Sequence, residues 1–146
     1  MKNCLIFFFS LFLLTQCRSG GPEIDPEMAR LLGDWKLADS TLSGPVTLVI
    51  ALDAANPPHD ITPFLVSGRG LLNEYSTRFY GSIDGKISAD TFTSTSINGA
   101  SETVLAEKTY FSQLVRIVRF QLVNDTELKL YYGGPQSGVL TFTKTN

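Results

Sequence analysis

The chain predicts a mainly β fold: a small antiparallel β-barrel or strongly curled sheet, with one helix packed across it and a short helix in front. Three observations carry this. From Asp34 onward the sequence runs in short apolar or alternating stretches punctuated by Gly, Pro, Asn and Asp, the pattern of half-buried strands joined by turns. One longer stretch, Ser101 to Val115, breaks that texture with apolar residues at helical spacing. Ahead of both, Asp25-Pro26-Glu27 combines a capping side chain, a proline suited to the first helical position and an acid at the positive end of a helix dipole.

In chain order, the first helix carries Met28, Leu31 and Leu32 over about two turns and is stopped by Gly33. Strands are expected near Trp35–Asp39, Val46–Leu52, Phe64–Leu72, Ser76–Ile83 and Lys86–Thr95, and then near Arg116–Val123, Glu127–Tyr132 and Val139–Lys144. Asp84-Gly85 and Asn124-Asp125 suit hairpin turns, because Asp and Asn tolerate turn geometry and Gly accepts a positive φ. Asp53 to Pro63, with Pro57, Pro58 and Pro63, is unfit for a central strand and is expected as an exposed loop. Ser101 caps the longer helix and Glu102 lies in its first turn. Val104, Leu105, Phe111, Leu114 and Val115 fall mostly on one face, interrupted by Lys108.

The first residues have a different character. Lys2, a largely apolar run from Leu5 to Leu14, and Leu14-Thr15-Gln16-Cys17 read as a bacterial lipoprotein export signal. The run is too short to span a bilayer as a mature helix. Gln16 stands where such signals usually carry a small residue, which leaves ordinary signal-peptidase cleavage or an uncleaved apolar anchor as the alternatives. Cys17 is the expected lipid acceptor, and each buried CH₂ adds about 0.8 kcal/mol of membrane affinity, so several acyl chains anchor firmly where one binds reversibly. The expected organisation is a cleaved signal over 1–16, a lipidated tether over 17–24 containing Ser19, Gly20, Gly21 and Pro22, and a β domain over 25–146. Arg18 is not the Asp that resembles an inner-membrane retention signal, so the expected location is the outer membrane, facing the periplasm.

Loss of Lys2 and Cys4 with the signal leaves 11 basic residues against 14 acidic ones and a single cysteine. An exported domain of this kind is expected to stand on its apolar core, without an intrachain disulfide. The small negative charge and the lack of a basic block argue against a nucleic-acid partner and against electrostatic attraction to anionic lipid. Membrane attachment is assigned to the lipid.

No residue constellation points to catalysis, and no cofactor is expected. His59, the sole histidine, has no second imidazole or free thiol to complete a zinc site, and Asp53 with Asp60 supplies too few oxygens for calcium or magnesium. Gly134-Pro135-Gln136-Ser137-Gly138 lacks the spacing of a nucleophile elbow and reads as a wide hairpin loop. Glu102 and Glu107 lie about 140° apart around a helix, so they do not share a face as acid and base. A tryptophan at the start of a first strand, Trp35, is expected to plug one barrel end with its indole N–H satisfied. Tyr75, Tyr80, Tyr131 and Tyr132 are candidates to line a mouth or groove, against ordinary strand packing.

Three patches together resemble the META domain, a family of small bacterial envelope domains that includes a heat-shock lipoprotein. Leu32-Gly33-Asp34-Trp35-Lys36-Leu37 is similar to its opening Gly-x-Trp-x-Leu. Val66 to Tyr75, with Gly68, Gly70, Asn73 and Tyr75, resembles its central Gly-x-x-Gly-Cys-Asn-x-Tyr. Thr95-Ser96-Ile97 and the stretch from Glu107 to Leu114 are similar to a Thr-x-Met element and a Glu-x-x-aromatic helix. Leu71-Leu72 stands at the family's Gly-Cys, and the second cysteine expected near Gly99 is also absent. A second resemblance is to lipocalin-like domains, which also open with Gly-x-Trp; it implies a similar barrel and an arginine, Arg116 or Arg119, stacked on Trp35. The resemblances imply a non-enzymatic envelope lipoprotein with a binding or scaffold domain, linked to envelope stress, or else a lipocalin-like carrier of a small apolar ligand. A contiguous internal cavity of at least about 300 Å³ favours the carrier. A filled interior with an exposed apolar patch favours a protein partner.

Overall fold

The computed structural model describes residues 23–39, 42 and 44–145; the expected signal, Cys17 and the tether up to Pro22 lie outside the described residues. Helix α1 (Pro26–Ala29) precedes strands β1 (Gly33–Leu37), β2 (Thr47–Leu52), β3 (Thr62–Arg69), β4 (Glu74–Gly81) and β5 (Ile87–Ser94). Helix α2 (Ser101–Leu114) then leads to β6 (Ile117–Asn124), β7 (Glu127–Tyr132) and β8 (Gly138–Thr145). The eight strands form one antiparallel sheet in the order β5-β4-β3-β2-β1-β8-β7-β6, curled into a half-barrel. Its two edges approach where Lys86 bridges to Arg119 and the Phe120 N–H donates to the Gly85 carbonyl at 2.9 Å. Among the described residues no helix is long and apolar enough to cross a membrane.

The connections sort to two ends. At the near end lie α1, the β2–β3 loop, the β4–β5 hairpin and the β6–β7 turn; Arg30 of the first joins Asp125 of the last at 3.0 Å. At the far end lie the β1–β2 loop, the β3–β4 turn, the β7–β8 loop and α2, which fills the gap between β5 and β6. The interior between them is occupied by side chains. Trp35, Phe64, Phe79, Phe142, Met28, Leu31, Leu48, Leu114, Leu128 and Leu130 are all fully buried in one cluster.

Several local expectations shift. The first helix is a single turn, capped by the Asp25 carboxylate accepting from the Glu27 N–H at 2.8 Å, and Gly33 already belongs to β1 with φ +128°. A side chain at Gly33 would meet Lys144 Cε, the movable end of a lysine, at 2.9 Å, so it is the backbone conformation that calls for glycine. The cap of α2 is Ala100, not Ser101, and it offers no side-chain acceptor. The β6–β7 turn falls one residue later than expected, where Asn124 Oδ1 accepts from the Thr126 N–H at 2.8 Å. Pro63, expected in the loop, is buried as the second residue of β3, opposite Tyr80. The missing donor is tolerated at a strand's beginning, and the Pro63 carbonyl still accepts from Asp53 N at 3.1 Å.

Candidate functional site

The far end is organised by one buried carboxylate. Glu107, 4% exposed, reaches from α2 into the β3–β4 turn. Its Oε1 accepts from the backbone N–H groups of Leu72 and Asn73 at 2.7 and 2.8 Å, and its Oε2 from the Asn73 side-chain amide. Asn73 Oδ1 in turn accepts from the Ile97 N–H at 2.6 Å and the Thr95 hydroxyl at 3.0 Å. Burial opposes ionisation of Glu107, but the donors from Asn73, Leu72 and Leu71 together outweigh it and hold the carboxyl below its ordinary range. Gly70 makes room: a Cβ there would stand 2.5 Å from Glu107 Oε1. The sequence patches around Asn73, Thr95–Ile97 and Glu107 thus meet in one hydrogen-bonded clasp that fixes α2 to the sheet.

Beside the clasp the aromatic rings interlock. Tyr75 packs edge-on to Tyr110 and Phe111 with centroids 5.9 and 5.4 Å away, and stacks on Phe92 at 5.7 Å. The Tyr75 hydroxyl donates to the Thr47 carbonyl at 2.8 Å, so Tyr110 is the donor in the 2.7 Å bond between the two phenols. Burial raises both phenols above their ordinary range. Gly68 lets this ring cross β3, since a Cβ there would lie 2.6 Å from the Tyr75 hydroxyl.

With α2 held this way, a cleft of about 680 Å³ opens between it, the end of β1 and the start of β8. Leu37, Tyr110 and Leu140, all buried core residues, form its floor, and Leu105, Ala106 and Val139 its walls. Leu105 is 67% exposed and Val139 also faces solvent. The apolar helix face read from sequence is therefore divided: Leu114 enters the core, Leu105 borders the cleft, and Glu107 and Tyr110 are buried instead. The charged residues lining the cleft, Asp39 and Glu102, are both acidic. β7 pairs with β8 from Gly138 to Thr143, whereas β1 pairs with it only from Phe142 to Thr145, with one further bond from the Ala38 N–H to the Thr141 carbonyl at 2.8 Å, so at the cleft the two strands diverge.

The near end holds Trp35, 1% exposed, whose indole N–H donates to the Leu31 carbonyl at 2.9 Å. The expected arginine stacking is corrected by the structure. The cation over the ring is Lys144, 5.0 Å from its centroid, because Lys144 is the register partner of Trp35 on β8 and shares its face. Its ammonium also donates to the Arg30 carbonyl at 3.2 Å. Arg116 instead donates to the Ser112 carbonyl at 2.9 Å at the end of α2, and Arg119 is exposed at the barrel seam. His59 is exposed in the β2–β3 loop, while Asp53 is buried and committed to Ala55, Asn56 and Arg78. Among the described residues no group of three or more His, Cys, Asp or Glu is placed to hold a metal. Ser137 lies in the β7–β8 loop, Glu102 is exposed, and Tyr80, Tyr131 and Tyr132 are half-buried. Sequence reasoning missed the clasp; its one signal was that Asn73 and Glu107 both fall within motifs of the resemblance.

Fold and site define a class: an antiparallel half-barrel with a packed core and an open apolar cleft beside its crossing helix. Neither a family model nor a curated protein matches the chain. A solved structure does: the NMR structure of a protein from Burkholderia xenovorans is 19% identical, with a TM-score of 0.58, over 84% of this chain and 89% of that one. That likeness shows the fold alone.

Proposed function

We propose that this is a non-enzymatic envelope lipoprotein, lipid-anchored through Cys17 in the outer membrane and facing the periplasm, whose META-like domain binds a segment of another envelope protein in the α2–β8 cleft. The observation that carries this is the packed barrel combined with an open apolar cleft: among the described residues buried side chains occupy the interior, while Leu105 and Val139 lie exposed beside an apolar floor. From Glu102 to Gln113 the cleft follows α2 for roughly 16 Å, the length of about five extended residues. The exposed carboxylate of Glu102 at its rim suits a segment with a basic side chain. Two features support the META-like reading. Gly70, Asn73 and Glu107 meet in the clasp, Gly68, Tyr75 and Tyr110 in the aromatic cluster beside it, and Leu72 lies against Gly99, the two places where the family's cysteines are missing.

One observation favours a second reading. The cleft volume falls within the roughly 300–1,000 Å³ of small-molecule sites, so a small apolar ligand suits the same place. A photo-crosslinking residue at Leu105 or Val139, with Val123 at the near end as control, separates the two in native membranes. A discrete protein adduct from the cleft positions alone supports the first. Stoichiometric co-purifying lipid without an adduct supports the second. Adducts equal at all three positions reject the cleft. Intact mass with fatty-acid labelling, and Cys17→Ala as control, tests the anchor; unlabelled protein beginning elsewhere rejects it.

A further inference from the structure

The near end, where the chain enters the domain at Glu23, also carries exposed apolar side chains. Ile83, at the β4–β5 hairpin, is 72% exposed, and Ile61, just before β3, is 55% exposed. Ile83 and Glu23 line one shallow depression together with His59 and Asp60, and Ile61 borders the adjoining one with Lys86 and Val118. The two isoleucines therefore flank the point of entry rather than being scattered over the surface.

We infer that this end rests on the bilayer, with Ile61 and Ile83 inserted at the interface, so that the far-end cleft points away from the membrane. The inference rests on the lipid anchor at Cys17 proposed above. From Cys17 to Glu23 the chain spans six residues, at most about 20 Å when fully extended. A domain of this size is roughly 35 Å across. The far end therefore cannot reach the surface to which Cys17 is bound, whereas the near end must stay beside it. Being tethered, two isoleucines suffice where free protein would bind negligibly, because attachment holds their local concentration high. Glu23, Asp25, Asp60 and Asp84 outnumber Lys86 and Arg119 around the two isoleucines, so the contact is apolar and weakens as anionic lipid increases.

The test uses the full lipidated chain in phosphatidylethanolamine vesicles. Cys17 carries its lipid as a thioether, leaving a single introduced cysteine free to take an environment-sensitive fluorophore, at Asp60 near Ile61 or at Glu102 by the cleft. Quenching by lipids with a quencher in the upper acyl chain is expected for the Asp60 label and not for the Glu102 label. It should be lost in the Ile61→Ser, Ile83→Ser background and reduced by added phosphatidylglycerol. Lipidated, vesicle-bound protein whose two labels are quenched alike overturns the inference, as does quenching that survives the double substitution. Protein that mass analysis shows to lack lipid, and that floats free of vesicles, overturns the anchor itself.

Discussion

Replacing Glu107 tests the clasp most directly. Glu107→Ala leaves the N–H groups of Leu72 and Asn73 and the Asn73 amide without their acceptor in a buried site. An orphaned buried donor costs about 1–3 kcal/mol, so the loss should be about 3–6 kcal/mol after partial relaxation, a large part of a domain stability of roughly 5–15 kcal/mol. Glu107→Gln keeps the volume and one oxygen for the two backbone donors, but it turns an amide N–H₂ towards the Asn73 amide; about 1–3 kcal/mol is expected. The pH dependence gives an independent reading. A carboxyl held below its ordinary 4.5 in the folded protein contributes stability that is present above that value and lost as pH falls through the folded one. Asp84, held down to about 2 by Lys86 and Ser82, adds the same slope to wild type and variant, so comparing the two cancels it. Urea midpoints measured between about pH 7 and pH 3 should converge for wild type and Glu107→Gln as the pH falls. Parallel curves across that range would show that the carboxylate is not linked to folding, and the clasp argument would fail.

Other outcomes follow from the same geometry. Trp35→Ala should lower stability by about 3–5 kcal/mol and Trp35→Phe by less, while His59→Ala, in an exposed loop, should barely move the denaturation midpoint. Lys144→Met should cost about 0.5–2 kcal/mol and Arg119→Met less than about 0.5 kcal/mol, the reverse of what arginine stacking requires. A Cβ at Gly99 would lie 3.5 Å from Leu72 Cγ, so Leu72→Cys with Gly99→Cys should form a disulfide on oxidation. Closing a loop of about 27 residues should add up to about 3.5 kcal/mol, less the lost leucine packing, and reduction should abolish the gain in the melting midpoint.

Local physics made most of the elements legible. A strand buried on one face must alternate, and turns must contain residues that tolerate turn dihedrals, so the eight strands and the glycine of the β4–β5 hairpin could be read without a partner in view. The capping and dipole signals at Asp25-Pro26-Glu27 are local as well, as is the helical spacing that begins at Ser101. What sequence could not decide was which side chains meet. Nothing local marks Glu107 for burial, since a carboxylate is expensive to bury and its donors lie 34 and 35 residues away on a turn whose position only the folded sheet determines. The register of β8, a long-range property, sets Lys144 beside Trp35, where an arginine was expected. The cleft also exists only after α2 is pinned, since one side of its lining comes from β1 and β8 and the other from a helix between β5 and β6. Periodicity specifies which way a side chain faces from its own element. What it faces is set by long-range pairing, and at this protein's far end that pairing rests on one buried carboxylate.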